Sequence, residues 1–243
     1  LQKQEGVKPP RDASTVIVAR DGAAGIEVYL LRRGSNAPGF PDAYVFPGGT
    51  LNNIDFSPQS RMRLVGQWRP AEPAFTYAAI RETFEECGLL FAVEPLEHET
   101  LRSARTRMLK GERTFSETLI DLNARLDARA VRYFSRWITP AANPHRFDAR
   151  FFVARAPLNQ IAEADELETY DGRWVRPADA LAQVEKQEMQ MIFPTVKHLE
   201  RIGTFADVDA LFAFAETKKT LPVTPDVRPG PEYFLPEHLE ATW

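Results

Sequence analysis

The segment Tyr77-Ala78-Ala79-Ile80-Arg81-Glu82-Thr83-Phe84-Glu85-Glu86-Cys87-Gly88-Leu89 constrains this chain more than any other. At 3.6 residues per turn, Glu82, Glu85 and Glu86 stand at i, i+3 and i+4 and share one face of a helix. Tyr77, Ile80, Phe84 and Cys87 follow at spacings of three, four and three on the opposite side, an apolar stripe that anchors the helix to a core. Ala78 and Ala79 precede the acids by one turn, and their small size is expected to leave the acidic face open. The pattern predicts a helix from Ala74 to about Phe91, with Gly88 as a stop signal near its end.

Like charges at this spacing repel by roughly 0.2–0.5 kcal/mol per exposed pair, and by more when partly buried. Arg81 can neutralise one acid. One or more divalent cations can neutralise the others, and an all-oxygen donor set favours Mg²⁺ or Mn²⁺ over Zn²⁺. On spacing alone the commoner reading is an acidic helix face in solvent. The residues around the segment decide between the two.

Upstream, Ser14–Arg20 and Ile26–Arg33 are β-branched-rich runs separated by Asp21-Gly22-Ala23-Ala24-Gly25, the pattern of a hairpin. Ala43–Phe46 is a short apolar run that is expected to end at Pro47-Gly48-Gly49, where glycines also permit close backbone approach. Residues 56–76 show little periodicity and read as an excursion with a short helix near Gln59–Val65. Glu97–Lys110 and Thr114–Ala128 read as a helical pair joined at Gly111, its charges forming a solvated face. Strands are expected at Val131–Ile138, Arg150–Ala154 and Arg173–Arg176, and helices at Ala178–Glu188, Pro194–Ile202 and Ala206–Thr217. Strands mixed with helices indicate an α/β fold, a sandwich around a mixed sheet. One domain is expected, with insertions at about 56–76 and 93–130 and a Pro-rich tail from about residue 221, which either wraps the domain or a partner or stays disordered.

With a net charge of -4 and its Lys and Arg spread along the chain, binding of nucleic acid through a broad basic surface is not expected, while a small anionic ligand held through metal is compatible with this charge. The lone Cys87 excludes an internal disulfide and reads as a small core residue. No apolar run approaches the length of a membrane span, so a cytoplasmic protein without membrane contact is expected. A homodimer is left open.

The segment Arg81–Leu89 resembles the second half of the Nudix box, R-E-U-x-E-E-x-G-U with U a bulky apolar residue. Gly49, five residues and Asp55 resemble its first half, G-x5-E, placed after Phe46-Pro47-Gly48-Gly49 as in that family. There are three departures: Asp55 stands for Glu, Thr83 for an apolar residue, and residues 56–80 put 25 positions where the usual box has seven. Closure cost grows only logarithmically with loop length, so an insertion of this size still lets the halves meet. The interrupted box is similar to that of peroxisomal coenzyme A diphosphatases and their bacterial relatives, as are Tyr44–Gly49, Arg136–Pro140, Arg146–Phe152 and Arg173–Val175. A coenzyme A signature of better-studied relatives has Arg eight residues and Gly four residues before the Phe of FPGG. Pro38 and Asp42 occupy those positions here.

The resemblance implies a Nudix-type α/β/α sandwich and metal-dependent hydrolysis of a nucleoside diphosphate joined to another group. Coenzyme A or an acyl-CoA leads as substrate, with ADP-ribose or a nucleotide sugar next and a non-catalytic nucleotide-binding module as the reading from another class. It implies Glu82, Glu85 and Glu86, with the Gly48 carbonyl, as ligands of Mg²⁺ or Mn²⁺. Catalysis would fall to Glu82 and Glu85, with Arg81 orienting the acids. The proton acceptor is sought in Asp165-Glu166-Leu167-Glu168, with Glu166 and Glu168 as candidates. Arg32, Arg33, Arg146 and Arg150 are candidate phosphate or nucleotide contacts.

Overall fold

The computed structural model describes residues 8–37, 39–66, 73–227 and 233–239. The first two β-branched runs become β1 (Arg11–Gly22) and β2 (Gly25–Arg33), an antiparallel hairpin with Ala19 opposite Val28. β3 (Tyr44–Val45) pairs with the end of β2, and β4 (Gly48–Thr50) pairs with the first half of β1. Pro47 ends β3 as expected, but Gly48 and Gly49 go on directly into a new strand, which the sequence reading did not foresee. A Cβ on Gly48 would lie 2.4 Å from the Ser14 carbonyl oxygen, and one on Gly49 would lie 2.5 Å from a Glu82 oxygen. The glycines serve close approach, which lets a strand lie between β1 and an acidic side chain.

After β4 comes a 3₁₀ turn (Asn53–Phe56), then α1 (Pro58–Arg63) and β5 (Leu64–Val65). The acidic helix is α2 (Pro73–Cys87). It ends short of Phe91 because Gly88 takes φ 75°. Tyr77, Ile80, Phe84 and Cys87 are all buried, and burying a large apolar side chain contributes about 1.5–3 kcal/mol. That outweighs the repulsion between the glutamates, so the helix holds with its acids side by side. Ala78 and Ala79 are fully buried as well, so they let the helix sit close against the sheet and do not leave an open surface.

The helical pair forms α3 (His98–Leu109) and α4 (Phe115–Asp121), with Gly111 at φ 74° between them. The second helix stops well before Ala128. Asn123 adopts φ 49°, its N–H donates to the Ile120 carbonyl, and the Ala124 N–H donates to that of Leu119, a Schellman closure. The released chain forms β6 (Leu126–Asp127), which pairs with β5.

β7 (Val131–Ile138), β8 (Phe147–Arg155) and β9 (Thr169–Val175) follow, then α5 (Pro177–Glu185), α6 (Phe193–Ile202) and α7 (Val208–Thr217). Part of the tail wraps the domain: β10 (Pro222–Val223) lies parallel to β7, β11 (Asp226–Val227) pairs with β12 (Tyr233–Phe234), and Leu239 is buried.

The main sheet runs β10-β7-β8-β1-β2-β3, with β4 also on β1 and β9 also on β2. It is mixed, since β1/β8 and β7/β10 are parallel and the other pairs antiparallel. Alternation sends Val16, Val18, Tyr29, Leu31 and Phe152 to the face covered by α2, α3 and α4. Ile17, Val28, Leu30, Phe151 and Val153 go to the face covered by α5, α6 and α7. The α/β/α sandwich expected from the sequence is the observed fold. No helix among the described residues is long and apolar enough to cross a membrane.

Candidate active site

The two halves of the interrupted box meet at Arg81. Its Nε and Nη2 donate to the two Asp55 oxygens, each at 2.9 Å, a bidentate pair that is almost wholly buried. Its Nη1 donates to Glu85 at 2.9 Å and lies 2.7 Å from Glu82. Asp55 also accepts the Asn52 N–H at 2.8 Å, which closes a capping box on the 3₁₀ turn. Asp55 thus anchors the start of the insertion to the acidic helix, and its full engagement by Arg81 leaves Glu82, Glu85 and Glu86 as the candidate ligands. Thr83 is fully buried, and its hydroxyl donates to the Ala79 carbonyl at 2.7 Å, which is how a polar residue occupies an apolar position of the motif.

Glu86 accepts the Gly48 N–H at 2.8 Å. Ladder bonds join Val16 to Pro47 and Leu51 to Asp12, so Gly48, opposite Thr15, turns its N–H and C=O away from β1. Its carbonyl points to the same side as the N–H that holds Glu86. Glu82 packs against Gly49. Burial pushes the Glu82 carboxyl up to about 7 against the opposing pull of Arg81. Burial also raises Glu85, again opposed by Arg81, and raises Glu86 well above the carboxylate range, with Glu82 adding to it. Among the described residues Asp55, Glu82 and Glu85 share the one guanidinium of Arg81, and Glu86 beside them is held only by the Gly48 N–H, so carboxylates outnumber their counter-charge and burial holds the unmatched ones toward the protonated form.

That imbalance and the all-oxygen donor set fit a hard divalent cation. The side chains are not yet gathered around a single point: among the described residues no three acidic, histidine or cysteine groups form a ligand cluster. Glu85 is turned to Arg81 and Glu86 to Gly48.

The loop before β9 lies beside this group. Asp165 accepts the N–H groups of Leu167, Glu168 and Thr169, and the Glu168 carbonyl accepts the Gly34 N–H. The charge of Glu168 acts on both Glu85 and Glu86, and that of Asp165 on Glu86. Glu166, exposed at φ 57°, acts on Tyr29 instead.

The four arginines separate. Alternation along β2 places Arg33 on the α2 face and Arg32 on the other, opposite Tyr44 and 3.8 Å from Asp42. Arg150 is on the α2 face but lies 3.5 Å from the centre of the Phe75 ring, beside Asp148 and Asp12. Arg146 donates to the carbonyls of Thr139 and Lys8, holding the chain entry to β1. Pro38 lies outside the described residues. Asp42 adopts φ 59°, a backbone form that favours glycine and that Asp tolerates, so its departure from the signature changes the side chain and keeps the shape.

One residue of the site escaped the sequence reading. Arg105 of α3 belongs to the charges expected in solvent, yet it is only 7% exposed. Its Nε and Nη2 donate to the Glu85 carbonyl at 3.0 and 2.9 Å, and its Nη1 to the Glu163 carbonyl at 2.9 Å. The signal was present: Leu101, Arg105 and Met108 stand at i, i+4 and i+7 on the buried stripe of α3.

A strand-flanked acidic helix on one face of a mixed-sheet sandwich, with paired glycines beneath its carboxylates, defines the Nudix class. Residues 59–202, more than half of the chain, match the sequence model of the NUDT19 Nudix domain, and the chain belongs to that family. It is 25% identical to the acyl-coenzyme A diphosphatase NUDT19 of Xenopus laevis, over 80% of this chain and 64% of that protein. It is also 25% identical to the protein of the same name from Gallus gallus, over 93% of this chain and 78% of that one. The human protein of that name matches at 25% identity over 79% of this chain, which likewise spans 64% of its length. Among solved structures, a Nudix hydrolase from Alicyclobacillus acidocaldarius superposes with a TM-score of 0.71 at 26% identity, covering 87% of this chain and 98% of that one.

Proposed function

We propose that this chain is a pyrophosphohydrolase that uses Mg²⁺ or Mn²⁺ to cut the diphosphate linkage of a nucleoside diphosphate derivative, with coenzyme A or an acyl-CoA as its substrate. The observation that carries this reading is the excess of partly buried carboxylate over guanidinium where Glu82, Glu85 and Glu86 meet Gly48 and Gly49. Leaving charges of one sign buried and unmatched is costly, and a divalent cation is the partner that this donor set suits. When bound, it would neutralise the diphosphate and acidify the attacking water.

In this reading Glu82, Glu85 and Glu86, with the outward Gly48 carbonyl, would hold the cation once Glu85 and Glu86 are released from Arg81 and Gly48. Arg81 stays locked to Asp55, keeping the helix in register with the start of the insertion. Glu168 is proposed to take the proton of the attacking water, ahead of Glu166, and the action of its charge on Glu85 and Glu86 supports that choice. Arg33, on the acid face and next to Gly34, whose N–H bonds to the Glu168 carbonyl, is proposed as the phosphate contact, with Arg150 of the same face second. Arg32 and Arg146 are assigned to the fold.

Coenzyme A as substrate is supported by the NUDT19 relatives, which are acyl-coenzyme A diphosphatases by name, and by the glycine-like backbone at Asp42. ADP-ribose is the alternative. The test is product release from a panel of coenzyme A, acyl-CoA, ADP-ribose, NADH and nucleoside triphosphates with Mg²⁺ or Mn²⁺, comparing the native protein with Glu86→Gln. The expected result is cleavage of coenzyme A compounds by the native protein and loss of most of that activity in the variant. Preference for ADP-ribose would overturn the substrate. Binding of a nucleotide without cleavage of any compound would overturn the hydrolase and favour a nucleotide-binding module.

A further inference from the structure

The C-terminal end of α2 has carbonyls that its own ladder cannot satisfy. Gly88 leaves the helix at φ 75°, and its N–H closes only on the Phe84 carbonyl. The Cys87 carbonyl is taken by the Glu163 N–H at 3.0 Å. The Glu85 carbonyl is taken twice by Arg105, which with its remaining arm holds the Glu163 carbonyl. Both backbone groups of Glu163 are therefore tied to the end of the acidic helix, one directly and one through a guanidinium. No carboxylate among the described residues lies within ion-pair distance of Arg105; it donates to a carbonyl at the negative end of the α2 dipole, and the charges of Asp165 and Glu163 act on it from the loop. A few residues before this tie, Gln160 exchanges two amide bonds with Leu90, at 2.8 and 3.0 Å. A few residues after it, Asp165 fixes the turn that presents Glu168.

We propose that Arg105 is a positioning residue of this site: it clamps the loop carrying Asp165 and Glu168 to the backbone of Glu85, fixing the separation of loop and helix carboxylates. The helical insertion thereby has a definite task, to deliver one arginine into the gap between α2 and that loop. A guanidinium suits it because its planar fork can serve two carbonyls in different directions at once. The consequence for catalysis rests on the hydrolase reading above; the clamp does not.

The test uses Arg105→Ala and Arg105→Lys, read by hydrogen exchange of the 163–169 amides and by kcat and KM for the diphosphate compound that the panel identifies, with Mn²⁺. Supporting groups of this kind typically contribute about 10–100-fold. Arg105→Ala is expected to lower kcat by about that factor with KM little changed, and to speed exchange of the loop by about tenfold or more. Arg105→Lys, which keeps the charge and loses the fork, is expected to fall between. Should the alanine variant fail to fold, the lysine variant alone decides, by a smaller fall in kcat and a measurable rise in exchange. A folded variant with native exchange and native kcat would overturn the proposal, as would a rise in KM at unchanged kcat. If the native protein cuts nothing in the panel, the hydrolase reading fails by itself, and the exchange measurement still decides whether the clamp exists.

Discussion

The two faces of the sheet bury ionisable groups in opposite ways. On the α5–α7 face, His198 is fully buried, with Nδ1 2.6 Å from the Pro194 carbonyl, Nε2 2.6 Å from the Ser135 hydroxyl and its ring stacked 4.2 Å from that of Phe151. A carbonyl only accepts, so Nδ1 carries the proton and Ser135 donates to Nε2. Burial pushes this histidine down to about 3, and the neutral ring has what it needs. On the α2 face Glu82, Glu85 and Glu86 are packed together with one arginine between them and Asp55. His198 has both ring nitrogens satisfied from within the chain, whereas the α2 acids outnumber their counter-charge, a demand that the proposed cation would meet.

If the acid face is held together by Arg81, removing that residue should do the most damage. Arg81→Ala strands Asp55 in the interior and is expected to cost about 3–5 kcal/mol, the range for breaking a buried pair from one side. Urea unfolding measures it, and a loss under 1 kcal/mol would break the contrast between the faces. Next in size is Glu86→Gln, expected to reduce turnover by about 10²–10³, as for loss of a group that stabilises developing charge, while leaving metal-free stability equal to or above that of the native protein. Steady-state kinetics and urea unfolding of the same preparation separate the two effects.

The sharper contrasts are smaller. Gly49→Ala puts a methyl group where Glu82 lies, and overpacking of this kind costs about 1–3 kcal/mol. It should appear as lost activity with the fold retained, seen by kinetics beside circular dichroism. On the opposite face, His198 stays neutral when folded and titrates near 6.5 when unfolded, so acidification protonates the unfolded chain first. Stability from this group should fall as pH drops from about 6.5 toward about 3, losing about 1 kcal/mol between pH 7 and pH 5.5. Melting curves at the two pH values should show that part of the loss vanish in His198→Gln.

The features legible in the sequence were those carried by local repetition. The apolar stripe of α2 and the β1–β2 hairpin were plain because each is set by side chains a few residues apart. β4 was hidden, because Pro47-Gly48-Gly49 has the composition of a break and its strand character comes from Ser14 and Thr15, more than 30 residues earlier. The end of α4 was also hidden, since Asn123 closes the helix by a left-handed turn and Leu126 then pairs with Leu64. The partner of Asp55 could not be read across an insertion, although both halves of the motif were visible. Arg105 lay on an apolar stripe that its charged neighbours masked. Spacing located the acids, while the number of counter-charges facing them was available only from the fold.

The central claim is that the uncompensated acids of α2 form a cation site, and the most direct test needs no substrate. Melting temperature is followed against Mn²⁺ concentration for the native protein, Glu86→Gln and His198→Gln. A ligand that binds only the folded state raises stability with the logarithm of its concentration. The expected result is such a rise in the native protein and in His198→Gln, and a flat response in Glu86→Gln. A native protein that Mn²⁺ does not stabilise, or a Glu86→Gln variant that it stabilises equally, would contradict the account.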